Sequence, residues 1–152
     1  MRKLLLAVAL LLIPSITFGA GTCVLDQSGT QSGGNRMWRQ YLCTADASDG
    51  SMAAFTVGGF YDFYIYSIET WSGTTAPTDN TDFTLLEAVT GEDIVGGNGT
   101  DGIDATTSNT VLPRSSFMSL NFYHMIKGDL TLTITNNSVN SAEMYIRVTG
   151  VR

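Results

Sequence analysis

The sequence predicts an all-β protein: an antiparallel β-sandwich, jelly-roll-like or Ig-like, preceded by an N-terminal signal peptide. Three observations carry that expectation. Apolar and polar residues alternate with period two along much of the chain, and no strong helical period follows Ala20. Turn clusters of Gly, Asn, Asp and Ser break the alternation about every ten residues or slightly more, the spacing of sandwiches rather than of βαβ units. The first stretch has the composition of a leader, not of a folded element.

That leader opens with Arg2 and Lys3, runs through the apolar stretch Leu4 to Ile13, and breaks at Pro14. The apolar run is shorter than the ~20 residues of a membrane span. Cleavage after Gly19 puts the small residues Thr17 and Gly19 at the two positions a signal peptidase reads; cleavage after Ala20 puts Phe18 at one of them. The expected division is therefore signal peptide 1–19 and a single β-sandwich domain 20–152. An uncleaved anchor and lipidation at Cys23 are the alternatives. Ala20 and Thr22 fit the lipidation pattern poorly.

The strands follow in order. Met37–Thr44 reads as a strand ending in the polar turn Ala45–Gly50, and Met52–Val57 as a short one stopped by Gly58-Gly59. Phe60–Thr70 is the longest β run, dense in aromatic and β-branched residues that suit a pleated surface. Trp71–Asn80 is expected to be a loop, Phe83–Val89 a strand, and Ile94-Val95 a short strand. Gly96–Ser108 reads as a loop, with Val111-Leu112 and Phe117–Tyr123 as weaker strands. Leu130–Thr135 alternates three apolar residues with three threonines. Met144–Thr149 alternates again after the turn cluster Asn136–Ser141, so the simplest pairing of the last two strands is a C-terminal hairpin.

Composition narrows the function. The 152 residues carry a formal charge of −6, and losing Arg2 and Lys3 takes this to −8 for the processed chain. The remaining cations, Arg36, Arg39, Arg114, Lys127, Arg147 and Arg152, form no basic stripe, so nucleic acid is not an expected partner. Cys23 and Cys43 are an even pair in a chain with an export signal, which reads as one disulfide rather than two free thiols. Two cysteines and one histidine do not make a zinc site.

Several segments taken in order carry a resemblance: Thr44–Ser51 (TADASDGS), Thr75–Asn80 (TAPTDN), Asp93–Gly97 (DIVGG) and Leu130–Ala142 (LTLTITNNSVNSA). As a set spanning roughly residues 36–149, they resemble an uncharacterised family of small β-sandwich proteins encoded among tailed-phage and prophage structural genes. The resemblance implies a virion component, such as a decoration, tail or fibre-associated protein, and brings no catalytic residues. A signal peptide departs from the usual cytoplasmic assembly of virions. The loop Asn98–Asp104 and the Trp71-Ser72 step are also particular to this chain. These departures leave a host-encoded envelope or secreted role open.

Four constellations bear on chemistry. Gly96–Asp104 (GGNGTDGID) matches one copy of a nine-residue calcium repeat, which would make Asp101 and Asp104 ligands. Such repeats bind calcium between tandem turns, and calcium needs six to eight oxygens, so a plain glycine-rich loop is the stronger expectation and no cofactor is required. His124, the one histidine, has no G-x-S-x-G nucleophile elbow to serve. Asp62, Glu69, Glu87, Glu92 and Asp93 offer carboxylates for glycoside hydrolysis, with no spacing that pairs them. The aromatics are many: Trp38, Tyr61, Tyr64, Tyr66, Trp71, Phe122 and Tyr123. If Phe63 and Ile65 enter the core, Tyr64 and Tyr66 stand in line on the opposite face. With Trp71, expected to be exposed at the start of a loop, they would form a platform for a glycan or a neighbouring subunit.

The sequence is thus expected to encode no enzyme. It reads as an exported structural or surface-interaction protein (periplasmic, extracellular or on a particle surface) that associates with itself or with other surface proteins. A carbohydrate-binding module is the alternative.

Overall fold

The structure is a computed structural model, and it describes residues 20–114 and 124–152. The expected signal peptide, the strand expected at Phe117–Tyr123 and the aromatics Phe122 and Tyr123 lie outside the described residues. The described residues are all-β, with eight strands in two antiparallel sheets: β1 Thr22–Gln31, β2 Arg36–Thr44, β3 Phe55–Val57, β4 Tyr64–Ser72, β5 Asp82–Glu87, β6 Asn109–Val111, β7 Leu130–Thr135 and β8 Glu143–Val151. The larger sheet has the order β1-β2-β8-β4-β6, and the smaller the order β3-β7-β5.

Alternation sets the faces. In β7, Leu130, Leu132 and Ile134 are buried while Thr131, Thr133 and Thr135 turn the other way, as the threonine pattern predicts. In β8, Met144, Ile146 and Val148 are buried and Tyr145 and Arg147 face out. Tyr41, Cys43, Ile65, Ile68, Phe83 and Leu85 join them in one core shared by both sheets. Tyr41 meets Phe55 edge to face across it, ring centroids 5.2 Å apart.

The structure departs from the sequence reading in several places. Leu130–Thr135 and Met144–Thr149 do not form a hairpin. β7 lies between β3 and β5, whereas β8 lies between β2 and β4 in the other sheet. Residues 136–142 are a crossover, pinned by Asn137, whose amide donates to the Gly50 and Val139 carbonyls and accepts from Thr78 N–H. The run from Phe60 begins as a turn, with Asp62 at φ 62° and Phe63 N–H returned to the Phe60 carbonyl, so the strand starts at Tyr64. Ile94 and Val95 are buried in turns and not in a strand. The ten-residue β1, which alternation does not mark, is an added edge strand.

The cysteines are bonded. Cys23 and Cys43 face each other across β1 and β2, with Cα atoms 3.9 Å apart. Among the described residues, no helix is long and apolar enough to cross a membrane.

Candidate functional site

The outer face of the larger sheet gathers the polar and aromatic residues that the core excludes. Its geometry follows from register. Gln40 of β2 stands opposite Arg147 of β8, and Arg147 opposite Glu69 of β4. The side chains join into one row across the sheet. Gln40 donates its amide N–H to Asp26 at 2.7 Å; its carbonyl oxygen accepts from Arg147 Nη2 at 2.7 Å and from Nε at 3.2 Å; Arg147 Nη1 reaches Glu69 at 3.4 Å. Each lone pair used this way fixes a side chain that would otherwise sample rotamers.

Aromatic rings flank the row. The Arg147 guanidinium lies 5.0 Å from the Trp38 ring centroid and 5.2 Å from that of Trp71. Trp71 stacks on Tyr145, centroids 5.4 Å apart and planes 10° apart. Arg36 lies 5.7 Å over Tyr66. Each cation–π contact contributes ~0.5–1 kcal/mol at such an exposed site. Trp38 in turn sits over Gly29 of β1, where an added Cβ would come within 2.7 Å of the indole nitrogen. The face is nearly flat. A depression of ≈ 150 Å³ is lined by Arg36, Trp38, Glu69, Arg147 and Thr149, well below the ~300–1,000 Å³ of small-molecule pockets.

Phe63 and Ile65 are buried, and Tyr64 and Tyr66 stand outside at 41 % exposure each. A bulge between Ile65 and Ser67 brings Tyr66 and Ser67 together against Thr149 of β8. Trp71 differs from expectation: it lies within β4, half-buried, stacked and capped by a guanidinium, because the strand runs on to Ser72. Among the described residues the most exposed aromatic is Tyr61, in the turn before β4. Sequence reading missed Tyr145, Arg147, Gln40 and Glu69 as members of this face. The signal was present in the alternation of β8, but it is uninterpretable until β2 and β4 are known as its neighbours.

No family model, curated protein or solved structure matches the chain.

The other candidates resolve into local structure. The glycine-rich loop closes the edge of β5: Phe83 N–H donates to the Gly99 carbonyl, Thr81 and Ile103 exchange hydrogen bonds, and buried Thr70 donates to the Gly102 carbonyl at 2.6 Å. Asp101 donates its own N–H to Asp82, and the Asp104 carboxylate accepts from Thr106 and Thr107, which holds it below the usual carboxylate range. The neighbouring Asp93 carboxylate accepts N–H groups of Leu85, Val95 and Gly97. Among the described residues, no group of three or more His, Cys, Asp and Glu converges to hold a metal. Gly99 answers to packing, since a Cβ there would sit 2.0 Å from the Phe83 carbonyl oxygen, whereas Gly97 answers to its positive φ. Gly99→Ala is expected to destabilise the fold by roughly 1–3 kcal/mol, read from urea unfolding; an unchanged midpoint would mean the loop is not packed in this way.

His124 lies between Glu87 Oε2, 3.6 Å from Nε2, and Glu92 Oε2, 3.4 Å from Nδ1. Glu87 is fully buried and also accepts Lys127 N–H at 2.7 Å and the Thr90 hydroxyl. Burial pushes its carboxyl up, but the donors from Thr90, Lys127 and His124 prevail and hold it below the usual range. Of the other carboxylates considered for hydrolysis, Glu69 belongs to the outer row and Asp62 to an exposed turn.

Proposed function

We propose that this chain is an exported, non-catalytic structural or surface-interaction protein that works through the outer face of its larger sheet. The two sheets read as a β-sandwich domain released from a signal peptide, and the disulfide suits an oxidising compartment. The setting implied by the family resemblance is a particle surface, as a decoration, tail or fibre component.

One observation carries this reading: the Trp38–Arg147–Trp71–Tyr145 array, fixed by the row from Asp26 to Glu69 on an open, flat face. Trp, Tyr and Arg dominate binding energy at protein interfaces, and side chains already held in place lose little entropy on docking. The same contacts weaken the carbohydrate reading, since a sugar stacking on Trp71 must compete with Tyr145 and the Arg147 guanidinium for its ring. Tyr64 and Tyr66 are what favour that reading.

Light scattering on the oxidised chain is expected to show concentration-dependent assembly beyond the monomer. Arg147→Ala and Trp71→Ala should each weaken that assembly at least tenfold while leaving the circular dichroism spectrum unchanged. A monomer at every concentration whose retention on a glycan array is lost in Trp71→Ala would overturn the structural reading in favour of a carbohydrate-binding module.

A further inference from the structure

The inner side of β2 holds a cation whose counter-charge is missing. Register places Arg39 opposite Val148, whose side chain is fully buried, so Arg39 points toward the core side and away from the Trp38–Arg147 array. Every other arginine among the described residues has a partner. Arg147 has Gln40 and Glu69, Arg114 has Asn98, Arg36 lies over Tyr66 and Arg152 over Phe63. Arg39 has no carboxylate partner among the described residues, although the chain carries 14 Asp and Glu against 8 Lys and Arg. Its Nε is buried and makes no hydrogen bond.

Three further observations converge on the same place. Tyr41, two residues along the same face and 2 % exposed, has a phenol oxygen that is also buried without a hydrogen bond. Burial raises the Tyr41 pKa against the opposing pull of the Arg39 charge and of the Arg39 side chain acting as a donor toward the phenol, so the phenol stays neutral and brings no counter-charge to the guanidinium. Arg39 also lines a depression of ≈ 300 Å³ with Ser28, Gly29, Thr30 and Met37, so two hydroxyl-bearing residues of β1 share its walls. Finally, Gly59 passes so close that an added Cβ would lie 2.2 Å from Arg39 Nη2, so the backbone there confines the guanidinium on one side. The neutral Tyr41 hydroxyl beside the guanidinium falls outside hydrogen-bond geometry with Nε and leaves the charge unmet. A partly buried guanidinium without an anion is costly, and its planar donor set matches a carboxylate in two-pronged fashion.

We infer that the depression between β1 and β2 is a binding site for a carboxylate, with Arg39 as its anchor and the Ser28 and Thr30 hydroxyls as auxiliary donors. The carboxylate is that of a small organic acid or of an acidic side chain on a partner protein. The site lies on the opposite side of the sheet from the proposed interaction face and does not depend on it.

The test is a titration of the oxidised, ¹⁵N-labelled chain, following the Arg39 Nε–H resonance, with sodium acetate and with a capped Thr-Glu-Thr peptide. Sodium chloride holds the ionic strength constant. A saturating shift with either probe, absent with chloride alone and lost in Arg39→Gln, is the expected result. Peptide binding at least tenfold tighter than acetate would assign the carboxylate to a partner's side chain; comparable binding would assign it to a free acid. Should Arg39→Gln fail to fold, the double variant Ser28→Ala/Thr30→Ala changes only β1 side chains and is expected to weaken binding severalfold. A response to both probes no different from chloride would overturn the site.

Discussion

Replacing both Cys23 and Cys43 by serine is expected to lower the thermal midpoint by roughly 10 °C. A bridge closing a loop of this length contributes ~3 kcal/mol, and each kcal/mol moves the midpoint of a domain this size by several degrees. The local effect should be larger than the global one. β1 is the edge strand of the larger sheet, and Cys23 is its one buried residue among those whose burial is described, with Val24 56 % and Leu25 48 % exposed. Little apolar area therefore holds β1 in place beyond its ladder to β2 and the disulfide. Hydrogen exchange in the double serine variant should speed strongly at β1 amides while β8 amides keep their protection. A midpoint within a degree or two of the parent, with β1 still protected, would show that the ladder alone suffices.

Glu87→Ala is expected to cost about 3 kcal/mol, as large an effect as losing the disulfide. It strips the part-buried Lys127 N–H and the Thr90 hydroxyl of their acceptor and removes one of the two carboxylates at His124. The carboxylate also makes stability depend on pH. Its folded pKa lies below the unfolded value of ~4.3, so its contribution is fully present above that value and is lost as pH falls through the lower folded pKa. Glu87→Gln keeps the shape and should remove this part of the acid-induced loss, so that parent and variant converge in stability at low pH. Parallel pH profiles for the two proteins would show that the buried group does not titrate as described.

The strands that were legible in the sequence are those with one clean face. Leu130–Thr135 needs no partner to be recognised, because three threonines opposite three apolar residues fit nothing else as well. β1 was invisible for the complementary reason. As an edge strand with both faces largely in water, TCVLDQSGTQ has no apolar period to read, and its structure comes from the β2 ladder. The misread hairpin has a different cause. The turn residues at Asn136–Ser141 mark a reversal but carry no information on which sheet the chain enters next. In the glycine motif at Gly96–Asp104, positive φ and close backbone approach demand the same residue type. Gly96 and Gly97 have φ of 54° and 83°, while Gly99 and Gly102 make room for Phe83. Of the candidate site, the exposure of Tyr64 and Tyr66 followed from alternation alone. The row from Asp26 to Glu69 required the register of four strands, of which only β1 and β2 are neighbours in sequence.

The crossover after β7 has a bearing on the order of events as the chain is made and folds. β8, the last strand in the sequence, fills the central position of the larger sheet, hydrogen-bonded to β2 on one side and β4 on the other. Until it arrives, β2 and β4 have no common neighbour, and the apolar faces of both remain without Met144, Ile146 and Val148. Most of the pairings that close the sheet thus join residues far apart in the chain, which favours slow folding. A growing polypeptide of this kind stays open until its end has been made. If the chain is exported unfolded, as the proposed function has it, late closure would keep it fit for passage, and the oxidant that joins Cys23 to Cys43 would meet it on the far side.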